Sequence, residues 1–442
     1  MPLPAPVTNT IRTVAIQGML LKERLQSGVA FNPLSADLRE NPYPSYLRLR
    51  TKDPVHWSVL TKSWMLTRYA DVMLVMRDAR FAADRSKGAN AQQFVASDMG
   101  PYNRWLANSL LSLDPPDHTR LRALATKAFT PRAVEQMRPR IAQIVDELLD
   151  AAQPRGRMDL IRDLAYPLPV IVIAEMLGVP AEDRPKFKAW SDAIGEGLEP
   201  ILTPEQIKAA DSAVLDLSDY FRQIIRERTH APQDDLISAL VQAHEGSDKL
   251  NEDELYAMCI LLLAAGNETT TNLIGNGMLA LLRNPRQLDR LRREPALIDN
   301  AVEELLRYDS PVQMSGRVAM EDMTIGGRQI RKGDFVAVLF GAANRDPEQF
   351  EQPERLELGR ANIRHLSFGQ GMHYCLGAPL ARVEGQIAIT ELLRRMPGLR
   401  LAGRPRWRTT ILLRGLQTLP VAFPTQPQGA AKSPEERVTV AS

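Results

Sequence analysis

The sequence predicts a single domain that is mainly α-helical with a small β portion. Apolar residues recur at helical spacing over long stretches, as in 204–229 and 378–395. Shorter runs around a Gly-Gly turn at 326–327 indicate a β-hairpin. The stretch 31–423 contains no obvious linker and no internal repeat, so we expect one domain over these residues.

The two ends of the chain differ from this domain. Residues 1–30 form an N-terminal extension, in which 11–25 can form a weakly amphipathic helix. The extension lacks a secretory pattern, and the longest apolar run, 258–266, is shorter than the ~20 residues that cross a bilayer. Residues 424–442 are rich in Pro, Gln, Ala and charge and are expected to be a disordered tail. We expect a cytoplasmic protein without a transmembrane segment.

Composition argues against several classes of function. A formal net charge of +2 among 442 residues provides no global basic field for nucleic acid. Two cysteines are too few for an iron–sulfur cluster or a four-thiolate zinc site, and they argue against a disulfide framework. Hydrophobic content of 44% with 24% charged residues fits a soluble globular protein with a sizeable core.

The first part of the domain mixes strands, helices and irregular chain. Residues 55–57 and 64–67 predict a hairpin, and a helix is expected over 69–78. Residues 81–110 lack clear periodicity, which is typical of a functional lid or of disorder. Four helical patterns with proline breaks follow, over 131–153, 167–178, 182–199 and 204–229. Ordinary helical core and a mobile cover over a pocket both fit these four helices.

The stretch Leu113-Asp-Pro-Pro-Asp-His-Thr-Arg-Leu-Arg122 begins with a chain break and continues as a helix. His118 and Arg122 are four residues apart, so their side chains emerge on one helix face. Taken alone, they would be an ordinary surface pair.

A long helix is predicted from a cap at Asn251 and Glu254 to about Arg283. Its middle carries the polar block Asn267-Glu-Thr-Thr-Thr-Asn272, directly after an apolar run. Threonine is a poor helix former, and a mid-helix threonine can bond the carbonyl four residues back and bend the helix. A solvent-facing bend and a functional notch both fit this block.

Two further patterns lie downstream. Glu304 and Arg307 form an opposite-charge pair on one face of a predicted helix. The sequence predicts an extended segment over 310–317 and a proline-broken meander over 345–355.

Cys375 lies in the loop Phe368-Gly-Gln-Gly-Met-His-Tyr-Cys-Leu-Gly377, directly before a helix predicted from Ala378 to Arg395. Unpaired backbone N–H groups and the dipole of a helix N-terminus favour a thiolate. Glycines permit positive φ angles and the close approach of a flat ligand. Such a loop can offer one soft anionic ligand to a metal, whereas an isolated cysteine would more often be buried and inert.

Five motifs resemble, in order, those of the cytochrome P-450 family: the Asp-Pro-Pro helix, Ala-Gly-x-Glu-Thr-Thr, Glu-x-x-Arg, the meander and the cysteine loop. The resemblance covers about residues 31–423 and implies the single-domain cytochrome P-450 fold, with the long central helix over haem. It also implies that Cys375 is the proximal thiolate of haem b. The positions that match family contacts to the haem propionates are His118, Arg122, Arg317, His365 and His373.

The resemblance assigns further roles on both sides of the haem. Glu268 and Thr269 match the catalytic acid–alcohol pair above its distal face. Glu304, Arg307 and Arg355 match a structural lock, although Leu356 replaces the usual aromatic residue after Arg355. Residues 410–420 resemble the closing β-turn whose tip enters the pocket. Pocket positions by analogy lie in 81–111 and at Leu261, Ala264, Ala265, Val312, Met314 and Leu412.

These matches together imply a haem-thiolate monooxygenase that inserts one atom of O2 into an apolar molecule, such as a lipid, terpenoid, steroid or polyketide. Electrons would come from NAD(P)H through a separate ferredoxin and its reductase. Arg120, Arg122 and Arg364 are candidates for the surface that binds this partner.

Three alternatives stay open. A zinc hydrolase could use His365, His373 and Cys375, although no second motif supports it. A non-catalytic haem sensor or carrier could share the cysteine loop but has no need of Glu268 and Thr269. A peroxide-driven haem enzyme is the third alternative, although the intact pair Glu268 and Thr269 argues for oxygen activation instead.

Overall fold

A computed structural model describes residues 5–89, 100–126, 129–245 and 250–425. Within these ranges helices dominate and the strands form four small sheets, as the predicted class requires. The helices are α1 Ala5–Ser27, α2 Ala36–Glu40, α3 Tyr43–Lys52, α4 Tyr69–Arg77, α5 Pro101–Ala107, α6 Asp117–Thr126, α7 Pro131–Ala152, α8 Pro167–Met176, α9 Arg184–Glu196, α10 Pro204–His230, α11 Leu236–Glu245, α12 Glu252–Arg283, α13 Pro285–Arg293, α14 Ile298–Tyr308, α15 Phe340–Ala343 and α16 Ala378–Arg395. The strands are β1 Val55–Ser58, β2 Ser63–Leu66, β3 Phe81–Ala82, β4 Arg157–Asp159, β5 Ser315–Ala319, β6 Met323–Ile325, β7 Arg328–Ile330, β8 Phe335–Val338, β9 Arg400–Leu401, β10 Arg406–Trp407, β11 Leu416–Thr418 and β12 Pro420–Ala422.

The largest sheet has five strands in the order β1-β2-β8-β5-β3. The predicted hairpin is its edge, with β1 and β2 antiparallel and β2 parallel to β8. The predicted Gly-Gly turn joins β6 to β7, with φ angles of 55° at Gly326 and 77° at Gly327 that side-chain-bearing residues rarely adopt. Alternate residues of these strands face a small apolar core of their own.

Helix α12 is the central element of the helical part. It begins at a reciprocal cap, in which the Asn251 side chain accepts from the Glu254 N–H and the Glu254 side chain accepts from the Asn251 N–H. Most of its 32 residues are buried, because it packs against α8, α9, α14 and α16. Helix α16 has the predicted bounds, whereas α9 is shorter than the pattern over 182–199 indicated.

The N-terminal helix is longer than the sequence indicated and its last turns pack on the domain. Glu23 is 1% exposed and accepts hydrogen bonds from the backbone N–H of Phe31 at 2.7 Å and of Val59 at 2.9 Å. Its Oε1 also lies 2.7 Å from Nε2 of the buried His56. Because these contacts join the N-terminal helix to residues on the other side of the predicted boundary, the domain boundary at residue 31 stays a prediction. The predicted tail lies outside the described residues from residue 426 onward. Within the described part of the chain, every helix is too short or too polar to span a bilayer.

A buried ion-pair network supports the segment between α14 and the cysteine loop. Glu304 and Arg307 are both fully buried, and Arg307 donates from Nε and Nη2 to the two carboxylate oxygens at 2.7 and 2.8 Å. Arg307 also donates to the backbone carbonyls of Asn344 and Pro353. This network fixes the meander against α14.

The assignment of Arg355 as third member of this network is wrong. A tight turn, in which the Arg355 N–H donates to the Gln352 carbonyl, directs the Arg355 side chain to solvent. Only the Arg355 carbonyl faces the network and accepts from Arg307 Nη2 at 3.0 Å. The third side chain is Arg360, whose Nε donates to both oxygens of Glu304 at 3.2 and 3.0 Å.

Candidate active site

The cysteine loop has the tight geometry that its glycines indicated. Gly369 and Gly371 adopt φ angles of 68° and 70°. A Cβ at Gly371 would collide with the backbone carbonyl of Met76, so only glycine fits there. The Cys375 N–H donates to the Phe368 carbonyl at 2.8 Å, which closes the loop before α16 begins.

The sulfur of Cys375 sits in an environment with opposing influences. The side chain is accessible, yet burial is the largest influence on the pKa of its thiol. Burial raises the pKa of its thiol, while the backbone N–H groups of Gly377 and Ala378 and the charges of Arg122 and Arg382 lower it. The predicted backbone donors are therefore present, but in the thiol without a ligand burial affects the pKa more than they do. A bound cation would reverse this balance because it stabilises the thiolate directly.

Four of the predicted propionate contacts converge next to this loop. The rings of His118 and His373 lie 4.2 Å apart, although they come from α6 and from the loop. Arg122 donates from Nη2 to the carbonyl of Tyr374 at 2.6 Å. Arg317 on β5 is close enough for its charge to lower the pKa of both His118 and His373. Burial is the larger cause and brings the pKa of His373 to about 3.

This cluster has the chemistry of a carboxylate site. Nε2 of His118 and Nε2 of His373 are buried and have no hydrogen-bond partner among the described residues. Burial lowers the pKa of Arg317 to about 10, which is the mark of a guanidinium held in the interior without full compensation. Buried donors of this kind need acceptors, and the two propionates of haem b would supply them. The residues present therefore fit the group that the cysteine loop implies.

His365 makes its contacts elsewhere. Its Nε2 lies 3.2 Å from a carboxylate oxygen of Glu303, and its Nδ1 accepts from the Ser367 N–H at 3.2 Å. Glu303 in turn accepts two hydrogen bonds from Arg382, whose guanidinium stacks 4.6 Å from the ring centroid of Phe368. The structure thus places His365 in a network behind the loop and does not bring it to the four-residue cluster.

The polar block of α12, residues 267–272, is helical, and Thr269 is its one residue that is not buried. Ala265 is exposed and Ala264 and Thr269 are half-buried, whereas Glu268 and the residues on either side of this turn are buried. The Thr269 hydroxyl donates to the carbonyl of Ala265 at 2.9 Å. This bond occupies the hydroxyl proton and leaves the oxygen lone pairs available to accept. The helix is therefore continuous through the polar block, and its accessible face is confined to this turn.

Glu268 is a buried carboxyl group with incomplete compensation. Its Oε1 has no hydrogen-bond partner among the described residues, and the nearest cation, Arg408 Nη1, is 3.5 Å away. Burial raises the pKa of Glu268 to about 7, with the charge of Arg408 opposing it. Gly195 of α9 makes room for this carboxyl group, because a Cβ there would overlap Oε2. A carboxyl group with such a pKa can exchange protons at neutral pH.

The predicted pocket residues lie in three different settings. Ala264 and Ala265 line the accessible turn of α12, whereas Leu261 is 7% exposed and lies within the core. Val312, Met314 and Leu412 come together because residues 312–314 run beside the closing turn. The Gln313 N–H donates to the Leu412 carbonyl at 2.8 Å, and Val312 pairs with Leu413.

Sequence reasoning missed three charged residues that are buried or half-buried. Arg408 lies between Glu268 and Asp192, to which its Nη2 donates at 2.7 Å. Arg85 stacks over Phe335 at 5.6 Å and lowers the pKa of Arg317 by charge repulsion. Glu384 on α16 is buried, its Oε2 has no hydrogen-bond partner among the residues that the structure describes, and burial raises its pKa to about 8. No local pattern marks them, because each acquires its environment from distant parts of the chain.

Comparison with known proteins decides the family. Residues 61–397 match the family model described as Cytochrome P450. The chain belongs to the cytochrome P450 family. Members of this family are monooxygenases that use haem b, with electrons from NAD(P)H delivered through partner proteins.

Several cytochrome P450 relatives align over nearly their whole length. The polyketide biosynthesis cytochrome P450 PksS of Bacillus subtilis is 42% identical over 403 residues, which is 89% of this chain and 98% of that protein. The vitamin D(3) 25-hydroxylase of Pseudonocardia autotrophica is 41% identical and covers 87% of this chain and 94% of its own. The crystal structure of P450BioI with a fatty-acid-ligated acyl carrier protein superimposes with a TM-score of 0.83 at 41% identity, over 88% of this chain and 100% of that one.

Proposed function

We propose that this cytochrome P450 hydroxylates or epoxidises an apolar organic molecule, with Cys375 as haem ligand and a separate ferredoxin as electron donor. The convergence of His118, Arg122, Arg317 and His373 beside the Cys375 loop is the observation that carries the proposal. These four side chains come from three parts of the chain, and two of them offer buried nitrogen atoms that have no hydrogen-bond partner within the described part of the chain. A packed core would leave no such donors, so the arrangement indicates a bound dicarboxylate.

In this proposal Cys375 and the cationic cluster hold haem b between them. Cys375 would ligate the iron through its thiolate, and the backbone N–H groups of Gly377 and Ala378 would orient and stabilise the sulfur. Arg122 and Arg317 would pair with propionates, while His118 and His373 would add neutral hydrogen bonds. Thiolate-ligated haem supplies the activation of O2 that the reaction requires.

Thr269 and Glu268 would manage protons on the substrate side. The Thr269 hydroxyl is fixed by its bond to the Ala265 carbonyl, so its oxygen can hold a water molecule at the accessible turn. Glu268 directly precedes Thr269 in sequence, and burial raises its pKa to about 7, so it can take a proton from solvent and release it inward. Arg408 and Asp192 connect Glu268 to the partly exposed surface of α9.

The substrate in this proposal is an apolar molecule. The predicted pocket positions Ala264, Ala265, Val312, Met314 and Leu412 would contribute only alkyl and thioether groups to its binding site. Relatives named for polyketide biosynthesis and for vitamin D(3) hydroxylation, and the structure with a fatty-acid-ligated acyl carrier protein, suit the same class. Either a free molecule or one attached to a carrier protein is compatible with these walls.

Electron delivery would occur on the cysteine side of the molecule. Arg77 and Arg364 are exposed and border a surface cleft that also contains Phe368 and Tyr374 of the loop. Arg120 contributes less charge to this face than the sequence indicated, because it binds Glu254 at 2.5 Å. An acidic ferredoxin would be attracted to Arg77 and Arg364, and this attraction weakens as salt increases.

The test is the absorption spectrum of reduced protein with carbon monoxide. Wild-type protein is expected to show the strongly red-shifted Soret band of a thiolate ligand. Cys375→His is expected to lose this band even where it retains haem, and Cys259→Ser serves as control because Cys259 is buried on α12. A red-shifted band that persists in Cys375→His would contradict the assignment.

A further inference from the structure

The chain segment just after α9 is tied to the closing turn, which we define as residues 410–413. Glu199 accepts hydrogen bonds from the N–H of Ile411 at 3.1 and 3.0 Å, through Oε1 and Oε2. Its Oε1 also accepts from the N–H of Leu412 at 2.9 Å. One carboxylate thus holds two successive backbone donors, which is a strong charge-assisted arrangement.

The closing turn is held on its opposite side by the pocket wall. Leu412 accepts from the Gln313 N–H, and Leu413 pairs with Val312. The turn is also closed on itself, because the Thr410 hydroxyl donates to the Leu413 carbonyl at 2.7 Å. The turn therefore lies between the wall that carries Met314 and the segment that carries Glu199.

Helix α9 makes two further contacts with the same part of the chain. Asp192 accepts from Arg408 at 2.7 Å, just before the closing turn. Gly195 faces Leu413, whose Cδ1 would be 3.5 Å from a Cβ at that position. The three contacts together make α9, the residues after it and the closing turn one continuous cover beside Glu268.

Glu199 differs from the other two contacts in its place in the chain. It belongs to no helix and is half-buried, and Pro200 beside it is exposed, whereas Ile411 is 9% exposed. The contact therefore lies where the outer surface meets the pocket wall. Ile411 and Leu412 can move outward only if these hydrogen bonds are broken, which leaves two backbone donors and a carboxylate without partners.

We propose that Glu199 is a positioning residue that locks the closing turn against the segment after α9, so that bulky ligands enter only after this contact opens. The proposal rests on the proposed function, because it requires haem beneath the pocket wall. Small ligands need no movement of the turn and should be indifferent to Glu199. The side chain thereby sets the size of molecule that the pocket admits.

The experiment uses two ligands of the haem iron that differ in size, imidazole and clotrimazole. Their association rate constants are measured by stopped-flow absorption on the ferric holoprotein of wild type, Glu199→Ala and Glu199→Gln. In Glu199→Ala we expect clotrimazole association to rise by about threefold or more while imidazole association is unchanged. Glu199→Gln is expected to show a smaller rise, because it keeps one acceptor oxygen. Glu205→Ala is the control, since Glu205 is an exposed glutamate on α10.

Two results would overturn the inference: an unchanged ratio of the two association rate constants, or an equal change for both ligands. If Glu199→Ala does not fold, the isosteric Glu199→Gln decides between the same outcomes. The carbon monoxide spectrum of wild type separates this inference from the proposed function. A thiolate band together with an unchanged ratio would refute only the role of Glu199.

Discussion

Glu304 and Glu268 are both buried glutamates beside arginines, and they differ in how completely their carboxylate oxygens are hydrogen-bonded. Glu304 receives hydrogen bonds from Arg307, from Arg360 and from the Glu357 N–H, so both oxygens are satisfied. Glu268 has Arg408 at 3.5 Å and an oxygen without a hydrogen-bond partner among the described residues. A fully paired carboxylate stabilises a fold, whereas an incompletely paired one keeps a pKa that allows proton transfer.

The largest effect is expected at the fully paired glutamate. Glu304→Ala leaves the buried Arg307 without a counter-ion, which costs about 3–5 kcal/mol of the free energy of unfolding. We expect loss of folded holoprotein, measured by haem content and chemical denaturation. Glu268→Ala is the matched comparison and should fold with haem. Stable Glu304→Ala holoprotein would show that the network is not needed for the fold.

Substitutions of Arg360 and Arg355 test which of the two side chains belongs to the Glu304 network. Arg360→Ala removes two hydrogen bonds to the Glu304 carboxylate and should cost about 1.5–3 kcal/mol. Arg355→Ala should cost less than about 0.5 kcal/mol, because the side chain is exposed and the carbonyl that contacts Arg307 is unchanged. Chemical denaturation of both variants measures the difference. The reverse order of stabilities would restore Arg355 as the third member.

Thr269 is the neighbour of the incompletely paired Glu268, and its substitution should change the chemistry rather than the stability. Thr269→Ala should bind haem and ligands normally and still consume NAD(P)H through its partners. Product formed per NAD(P)H should fall by about tenfold, with hydrogen peroxide released instead, because proton delivery is lost.

Thr269→Ser keeps the hydroxyl and should retain most of the coupling. The assay measures NAD(P)H, peroxide and product in one reaction, with a substrate found by its shift of the haem spectrum. Equal coupling in wild type and Thr269→Ala would leave the polar block as a helix bend without a catalytic role.

The sequence predicted the residues that lie within a single motif. Cys375 with its glycine loop, the capped α12 and the Glu304–Arg307 pair depend on spacing over a few residues, and the structure has each of them. Arg355 was wrong because its place in a motif does not show which way a tight turn directs a side chain. The substitute, Arg360, meets Glu304 only after the meander has folded back on α14.

Partners that are distant in sequence could not be predicted. Arg408 reaches Glu268 across 140 positions, and Glu199 reaches Leu412 across 213. Neither contact follows from hydrophobic periodicity or local spacing, because both depend on how α9 lies against the closing turn. The pKa of Glu268 depends on the same packing, so the sequence indicated an acid but not its proton affinity.

The protonation state of Glu268 tests the central claim most directly. The infrared band of a protonated carboxyl group is followed from pH 5 to pH 9 in wild type, Glu268→Gln and the control Glu205→Gln. Burial raises the pKa of Glu268 to about 7, so the group should be protonated at pH 6 and ionised at pH 8. The band lost in Glu268→Gln should therefore have a midpoint near pH 7. A Glu268 that is already ionised at pH 5, like an exposed glutamate, would contradict the account.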